Sequence, residues 1–265
     1  MSKRTRRRLR TTFAVISFVA LEMAVISREI HKNAGDVQVA QPSGHQKVQS
    51  IHPYHYVMPH SIREVADPLS ILVLVNPWNR LSAKYVPPDL VRLPIPFLNP
   101  GDPENHMMRK VAVPAFMRLY EVAQKDGIYF AGVSAFRSYA TQAWIYNNNI
   151  HTEGLKLTEL YSAKPGTSDH QTGLAIDLSG SSGQYATLPQ FANTPEGKWL
   201  AAHAAQFGFI IRYPKGMQKI TGYNYEPWHI RYVGIKSAKV ITEHHWTLEQ
   251  YLKFTSPVSK IKSMN

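Results

Sequence analysis

The stretch SDHQTGLAIDLSG, residues 168–180, combines the pattern of a β-strand with two side chains that can bind a metal ion. From residue 174 onward, large apolar residues alternate with small or polar ones, and this two-residue period predicts a strand. Asp177 would lie on the face opposite the large apolar side chains. His170 precedes it by seven residues, with Gly173 between them. A catalytic metal site and a buried hydrogen-bond network would both use such residues, so both interpretations stay open.

The composition is that of a globular protein without cysteine chemistry. The 265 residues are 44% hydrophobic and 18% charged, which is typical of a folded chain and unlike a disordered one. The sequence contains no cysteine, so disulfides, thiolate metal sites and cysteine nucleophiles are excluded. Any metal ion in this protein must therefore be held by histidine, aspartate or glutamate.

The N-terminus places positive charge next to an apolar segment. Residues 1–10 carry six lysines and arginines and no acid, which accounts for half of the net charge of +12. Residues 11–27, TTFAVISFVALEMAVIS, are largely apolar and predict a transmembrane anchor or signal segment, with residues 1–10 as a basic cytoplasmic tail. No A-x-A cleavage motif follows, which favours an uncleaved anchor. Against this, Glu22 would cost about 2–3 kcal/mol inside a membrane.

Two alternatives to an anchor remain. Cleavage of the segment would give a secreted protein, and the basic run could instead form an amphipathic helix or a nucleic-acid arm. Because the basic run abuts an apolar segment, we expect contact with the membrane through residues 11–27 and no binding of nucleic acid. The folded part of the chain would then lie outside the cytoplasm.

The rest of the chain divides into a linker and one domain. Residues 28–60 are polar, lack a sustained period and predict an extracytoplasmic stalk. The histidines of this stretch repeat no ligand spacing, so we assign them no metal role. Residues 61–265 are long enough for a domain with its own core, and we expect a monomeric catalytic domain there.

Helices and short strands follow one another in this domain without a regular βαβ repeat, which favours an α+β fold. Strands are predicted in residues 71–76 (ILVLVN), 127–136 (GIYFAGVSAF), 207–214 (FGFIIRYP) and 226–234 (EPWHIRYVG). Helices are predicted in residues 104–125, kinked or split at Pro114, in residues 137–149, from Thr194 onward, and in residues 247–252. Residues 152–167 are predicted to be a surface connection. The core is predicted to include Trp144, Trp199 and Trp228.

The residue types needed for metal-assisted hydrolysis lie in three polar stretches of otherwise apolar sequence. A zinc hydrolase needs three protein ligands with an open position for water, a base for the proton of that water, and a cation for the developing oxyanion. His170, Asp177 and His229 could be the ligands. Glu226 could be the base and Arg137 the cation. The sequence has no HExxH motif, so a thermolysin-like helix is excluded.

The spacing of these residues sets a condition on the backbone. In a regular strand, residues seven or three positions apart point to opposite faces of the sheet. Convergence on one metal ion therefore requires irregular backbone, for which Gly173 and Pro227 are the candidates. A structural polar network remains the alternative, since a buried histidine is usually only hydrogen-bonded.

The order of these motifs resembles a known family. SxHxxGxAxD in residues 168–177, followed by ExWH in residues 226–229, is similar to the VanY-type D-alanyl-D-alanine carboxypeptidases of the LAS zinc peptidase group. The similarity extends to SAFRSYATQ before the first motif and to TPEGKWL and FGFIIRYPKG between the two, and covers about residues 71–252. It implies a single α+β domain with a small central antiparallel sheet flanked by helices, the LAS or hedgehog-like fold.

The resemblance also implies a role for each residue of the motifs. His170, Asp177 and His229 would bind one Zn²⁺ ion, and Glu226 would act as general base and proton shuttle. Peptidoglycan stem peptides would be the substrate, and a bacterial cell membrane the location, unless the N-terminal segment is cleaved.

Three further residues would bind the substrate. Arg137 would also stabilise the tetrahedral intermediate, while Gln142 and Ser168 would hold polar groups of the peptide. Ala135 and Phe136 depart from the common SGYRS form of the family, which could alter the loop around Arg137 but removes no reacting group.

Three functions are compatible with these residues. The first is a D,D-carboxypeptidase that removes the terminal D-alanine from peptidoglycan stem peptides. The second is an L,D-carboxypeptidase that acts on the tetrapeptide stem. The third, from a different class, is a cell-wall binding module that has lost catalysis, for which we would expect some of the reacting residues to be missing.

Overall fold

The structure is a computed structural model that describes residues 62–254. The basic tail predicted in residues 1–10, the apolar segment in residues 11–27 and the stalk in residues 28–60 lie outside the described residues. Within residues 62–254, no helix has the length and apolar character needed to cross a membrane.

The centre of the domain is a four-stranded sheet of β5 (Phe130–Ser134), β6 (Ala175–Gly180), β7 (Phe209–Tyr213) and β8 (Glu226–Tyr232). Its neighbouring strands are all antiparallel, and their order in the sheet is β5-β6-β8-β7. All residues of β6 are buried, because this strand lies between β5 and β8 and is covered on both faces. The α+β class and the small antiparallel sheet are as predicted.

Two short strand pairs precede this sheet along the chain. They are β1 (Arg63–Glu64) with β2 (Asn79–Arg80), which is parallel, and β3 (Leu90–Arg92) with β4 (Met107–Arg109), which is antiparallel.

Seven α-helices are found among the described residues. They are α1 (Val113–Lys125), α2 (Tyr139–Glu153), α3 (Leu155–Tyr161), α4 (Pro195–His203), α5 (Gln218–Thr221), α6 (Ile235–Glu243) and α7 (Leu248–Tyr251). Helix α1 packs its apolar face on the sheet, where the rings of Phe116 and Phe209 meet edge to face at 6.0 Å. Hydroxyl caps begin α2, α4 and α7, as the side chains of Ser138, Thr194 and Thr247 accept hydrogen bonds from the first helical turn.

The strand predicted in residues 71–76 is wrong. Only Asn76 of this segment forms a β-bridge, to Asn79. The carbonyl groups that a neighbouring strand would have bonded are instead bound by side chains. Arg231 donates to the carbonyls of Ile71 and Val73, and Arg212 donates to that of Val75. Apolar alternation shows that a segment is buried, but it does not show which donors satisfy its backbone.

Three further predictions are corrected. Residues 104–125 are split more strongly than expected, since a 3₁₀ turn and β4 precede α1, which holds Pro114 in its first turn. Residues 152–167, predicted to be a surface connection, contain helix α3.

Trp144 was predicted to lie in the core, but it is 70% exposed. Helix α2 turns Gln142 and Tyr146 inward, so a residue midway between them points to solvent. Trp199 and Trp228 are buried as predicted.

Candidate active site

Asp177 and His229 lie directly opposite each other on neighbouring strands. Asp177 is on β6 and His229 on β8, and the two residues form a cross-strand pair. His229 Nδ1 lies 3.0 Å from Asp177 Oδ1, and both side chains are almost fully buried. The pairing of two central strands therefore fixes the distance between these two side chains.

His170 reaches the same place from a turn. It lies in a 3₁₀ turn, Asp169–Thr172, which ends at Gly173 in the left-handed conformation with φ of 66°. A Cβ atom at this glycine would come within 2.9 Å of Arg109 Cγ, so both the backbone angle and the space require glycine here. This turn is the irregular backbone predicted near Gly173, and it brings His170 Nε2 to 3.1 Å from Asp177 Oδ2.

His170, Asp177 and His229 form a group that we call the ligand cluster. Each offers one ligand atom, these atoms lie within 4.8 Å of one another, and all three residues are buried. Asp177 Oδ1 has no hydrogen-bond partner among the described residues. Two imidazole nitrogens and one carboxylate oxygen are a ligand set that suits a divalent transition metal. The ligand cluster is thus able to hold a metal ion.

The charges of the ligand cluster depend on one another. Burial raises the pKa of Asp177, but the neighbouring histidines outweigh this effect and hold the pKa well below its usual range. Burial lowers the pKa of His170. Burial also acts to lower the pKa of His229, yet the negative charge of Asp177 and contact with Asp169 raise it to about 9. A raised pKa means that metal binding to His229 would compete with its protonation.

Glu226 lies beside the ligand cluster because β8 is irregular. Ile211 on β7 pairs with Ile230, whereas Tyr213 pairs with Glu226, so extra residues of β8 bulge out between these pairs. Pro227 is in this bulge, as predicted. Glu226 Oε2 lies 3.4 Å from His229 Nδ1, and its side chain is 19% exposed. Burial raises the pKa of Glu226 to about 7, against the lowering effect of His229.

Arg137 follows β5 and is held by neutral groups. It donates to Ser134 Oγ and to Gln142 Oε1, each at 2.9 Å. Its guanidinium interacts electrostatically with Asp177 and Glu226, whose negative charges raise the pKa of Arg137 against the larger lowering effect of burial. Arginine stays charged in either case. Arg137 is a half-buried residue that interacts with both carboxylates, so it is suited to meet an anionic or polarised group of a ligand.

The other two predicted substrate residues lie on either side of this arginine. Gln142 is buried and uses both halves of its amide, because it accepts from Arg137 and donates to the Ala163 carbonyl at 2.7 Å. Its position in the structure is that of a residue that orients Arg137. Ser168 is buried directly before the turn that carries His170.

Sequence reasoning missed a second group of buried ionisable residues, which we call the arginine cluster. It comprises Asp169, Arg212, Arg231 and Glu249, all at most 1% exposed. Arg212 pairs with both oxygens of Glu249, at 2.9 and 2.8 Å, and Arg231 pairs with Asp169 Oδ1. The signal was present in the sequence, because FIIRYP and EPWHIRYVG each place one arginine inside an apolar strand. A charge there must have a buried partner.

Comparison with known proteins matches this site to a described family. The family model VanY, D-alanyl-D-alanine carboxypeptidase, matches residues 105–235, a range that contains the whole ligand cluster and Glu226. The chain is 41% identical to YodJ of Bacillus subtilis (strain 168), over 72% of this chain and 70% of that protein. It is 34% identical to the bifunctional D-Ala-D-Ala dipeptidase and D-Ala-D-Ala carboxypeptidase VanXYC of Enterococcus gallinarum, over 69% of this chain and 94% of that one.

Solved structures agree with the sequence matches. The LD-carboxypeptidase LdcB is 40% identical, with a TM-score of 0.69 over 74% of this chain and 91% of LdcB. A mutant of the vancomycin resistance D,D-pentapeptidase VanY, in complex with Zn(II), is 33% identical, with a TM-score of 0.56 over 68% of this chain and 98% of that one. Sequence, fold and the order of the site residues all lead to one assignment: this chain belongs to the VanY family of D-alanyl-D-alanine carboxypeptidases.

Proposed function

We propose that this protein is a zinc-dependent D,D-carboxypeptidase that removes the terminal D-alanine from peptidoglycan stem peptides. The observation that supports this most strongly is the convergence of the ligand cluster, with its three ligand atoms within 4.8 Å of one another, beside the acid Glu226. The Zn(II) complex of the related VanY enzyme supports zinc as the metal, since the donor set found here suits that ion.

The ligand cluster would hold the metal through His170 Nε2, His229 Nδ1 and a carboxylate oxygen of Asp177. A bound zinc ion would acidify a water molecule and polarise the scissile carbonyl. The buried surroundings keep the three ligands in place before binding, because His170 Nδ1 donates to the Ala135 carbonyl at 2.7 Å and thereby leaves Nε2 free to bind.

Glu226 would move protons in this reaction. It is next to His229 but is not one of the three converging ligands, and its partly exposed carboxylate can reach a water molecule at the mouth of the site. It would accept a proton from the attacking water and then give it to the nitrogen of the departing D-alanine. Arg137 would hold a carboxylate or carbonyl oxygen of the peptide and stabilise the negative charge that develops on the carbonyl oxygen.

A second function, L,D-carboxypeptidase activity on the tetrapeptide stem, is favoured by one specific observation. LdcB, a LD-carboxypeptidase, is similar to this chain over 91% of its own length. The two activities would use the same ligands and the same base, and they would differ in the walls that surround the peptide. A wall-binding module without catalysis is disfavoured, since every expected reacting residue is present.

The full-length protein, loaded with zinc, should be incubated with synthetic penta- and tetrapeptide stems and the products identified by mass. Loss of one alanine from the pentapeptide alone supports the proposed function, and loss from the tetrapeptide alone supports the second. The Glu226→Gln variant, also loaded with zinc, is the matched control that exposes a contaminating peptidase. If the zinc-loaded protein cleaves neither peptide, both proposals are wrong.

We also propose that residues 11–27 anchor this domain outside the cytoplasm of a bacterial cell. The support is the basic and apolar pattern of the first 27 residues, together with a substrate class that is found in the cell wall. Protease added to intact cells should release a fragment cut within residues 28–60. A catalytic domain that is protected until the cells are lysed would contradict this location.

A further inference from the structure

We infer that Asp169 is a positioning residue for the metal site: its carboxylate accepts the Nε2 proton of His229 and so directs His229 Nδ1 toward the metal. This inference rests on the proposed function, because it concerns a ligand of the proposed zinc ion. It assigns to the residue before His170 a role that the binding motif alone does not reveal.

The first observation is a pair of buried atoms that face each other. His229 Nε2 lies 3.6 Å from Asp169 Oδ2. Neither atom has a hydrogen-bond partner among the described residues, and both are inaccessible to solvent. A movement of about 0.5 Å would bring the two atoms within hydrogen-bond distance. Buried polar atoms without a partner are costly, and each of these two atoms can satisfy the other. Arg212 Nε, which also lacks a partner within residues 62–254, lies farther from the same oxygen, at 3.8 Å.

The second observation is the contrast between the two histidines. His170 has its non-ligand nitrogen bound to a backbone carbonyl, that of Ala135, and this contact fixes which nitrogen carries the proton. The corresponding nitrogen of His229 is Nε2, because Nδ1 faces Asp177 at 3.0 Å. Asp169 offers His229 the acceptor that the Ala135 carbonyl offers His170. The two ligands are thus held by different means, one by the backbone and the other by a side chain.

The third observation is that Asp169 is itself fixed. Arg231 donates to Asp169 Oδ1 and has its other donors on the carbonyls of Ile71, Val73 and Tyr232. Arg212 Nε lies 3.8 Å from Asp169 Oδ2. One oxygen of the aspartate is thereby occupied by arginine, and the other is turned toward His229. A carboxylate held in this way is placed to accept a hydrogen bond from the imidazole ring of His229.

This geometry explains why an amide could not replace the carboxylate. In an Asp169→Asn variant the side-chain oxygen would be drawn to the N–H donors of Arg231, which would leave the NH₂ group facing His229 Nε2. Two donors would then oppose each other, unless the imidazole moved its proton to Nδ1. With a proton on Nδ1, His229 could not bind the metal at that nitrogen.

The test compares zinc affinity of the wild-type chain with two variants, by competition against a chelator of known affinity. Asp169→Asn should weaken zinc binding by roughly 10- to 100-fold, the range seen when the hydrogen-bond partner of a metal ligand is lost. Glu249→Gln is the matched control, because it removes a carboxylate that is equally buried and also pairs with Arg212, but that makes no contact with His229. This control should lower the melting temperature and leave zinc affinity within about threefold of wild type.

A second measurement uses the wild-type chain, whose folding no substitution disturbs. In the zinc-loaded wild-type chain, long-range proton–nitrogen NMR correlations of the imidazole rings should show the His229 proton on Nε2. Finding Nε2 unprotonated, or finding that Asp169→Asn and Glu249→Gln weaken zinc equally, would overturn the role of Asp169. If the wild-type chain binds no zinc at all, the proposed function fails first and this inference with it, so the two failures are distinguishable.

Discussion

The ligand cluster and the arginine cluster are both buried and lie side by side, yet they differ in the kinds of charged group that they contain. The arginine cluster contains two cations and two anions, and Arg212 binds Glu249 through two short contacts. The ligand cluster contains no arginine or lysine, and its ligand atoms face one another. Ligand atoms in such an arrangement repel unless a proton or a metal ion lies between them.

This difference shows that buried polar residues can serve two purposes, one structural and the other the binding of a ligand. The arginine cluster pairs its two arginines with two carboxylates and fastens the segment of residues 71–76 and helix α7 to the sheet, through Arg231 and Arg212. The ligand cluster instead brings three ligand atoms together, which is the arrangement that a metal site uses. Burial of charged residues is therefore weak evidence for function, whereas buried ligand atoms that converge on one point mark a candidate site for a cation.

The largest effect should come from removing a member of the ligand cluster. His170→Ala and Asp177→Ala should each lose the single bound zinc ion and, with it, all measurable turnover, because only two ligands remain. The measurement is zinc per chain by atomic emission, paired with peptide hydrolysis. His244→Ala removes an exposed histidine and should keep both. A metal-free protein with full activity would show that the ligand cluster does not hold a catalytic metal ion.

Glu226 should separate chemistry from metal binding. Glu226→Gln should retain one zinc ion per chain and lose turnover by about 100-fold or more, the range for a positioned general base. Zinc content and kcat should be measured on the same preparation. Loss of zinc together with loss of activity would instead make Glu226 part of the ligand cluster.

Substitution of Arg137 should weaken stabilisation of the transition state without affecting zinc binding. Lysine keeps the positive charge but lacks the planar pair of donors, so Arg137→Lys should reduce kcat/KM by roughly 10- to 1000-fold, about 1.4–4 kcal/mol. Zinc content and the melting temperature should stay close to wild type. Arg118→Lys, on the exposed side of α1, is the control. Unchanged kinetics in the Arg137 variant would exclude the proposed contact with substrate.

The smallest effect is a pH dependence of stability in the metal-free protein. The pKa of Glu226 is raised to about 7 in the folded state, whereas an unfolded glutamate titrates near 4.5. Between these values the folded state binds more protons, so this residue makes the free energy of unfolding fall as pH rises from about 4.5 to 7. Glu226→Gln removes the ionisable group and should therefore stabilise the metal-free protein by about 1–3 kcal/mol at pH 8.

The same variant should have almost no effect on stability at pH 4, where the carboxyl group is mostly neutral in both states. Urea unfolding at the two pH values measures this difference. An equal effect at both pH values would show that the substitution acts through packing and not through charge.

The sequence allowed prediction of the site better than prediction of its surroundings. The ligand cluster was identified because metal chemistry limits the choice of residue types and because the motif order is distinctive. The irregular backbone at Gly173 and Pro227 followed from geometry, since regular strands would have turned the side chains apart. The α+β class followed from short strands without βαβ repeats, and the small antiparallel sheet followed from the resemblance to the VanY-type enzymes.

The surroundings depended on contacts between residues far apart in sequence. Nothing within ILVLVN shows that its carbonyls bond to Arg212 and Arg231, so an apolar alternating segment was interpreted as a strand. The exposure of Trp144 depends on which side of α2 faces the domain, and the helix has too weak an apolar stripe to show this. The part played by Asp169 is invisible without the position of His229.

The pairing of Asp177 with His229 across β6 and β8 also has a consequence for the order of folding. These residues are far apart in the chain, and they meet only when two non-adjacent stretches have formed neighbouring strands. Contacts of this kind are slow to form, because closing a long loop costs conformational entropy before the contact stabilises the chain. Before the sheet has formed, the chain would therefore be unable to hold a metal ion at this site. Any metal ion that the ligand cluster binds would be captured after the sheet is assembled.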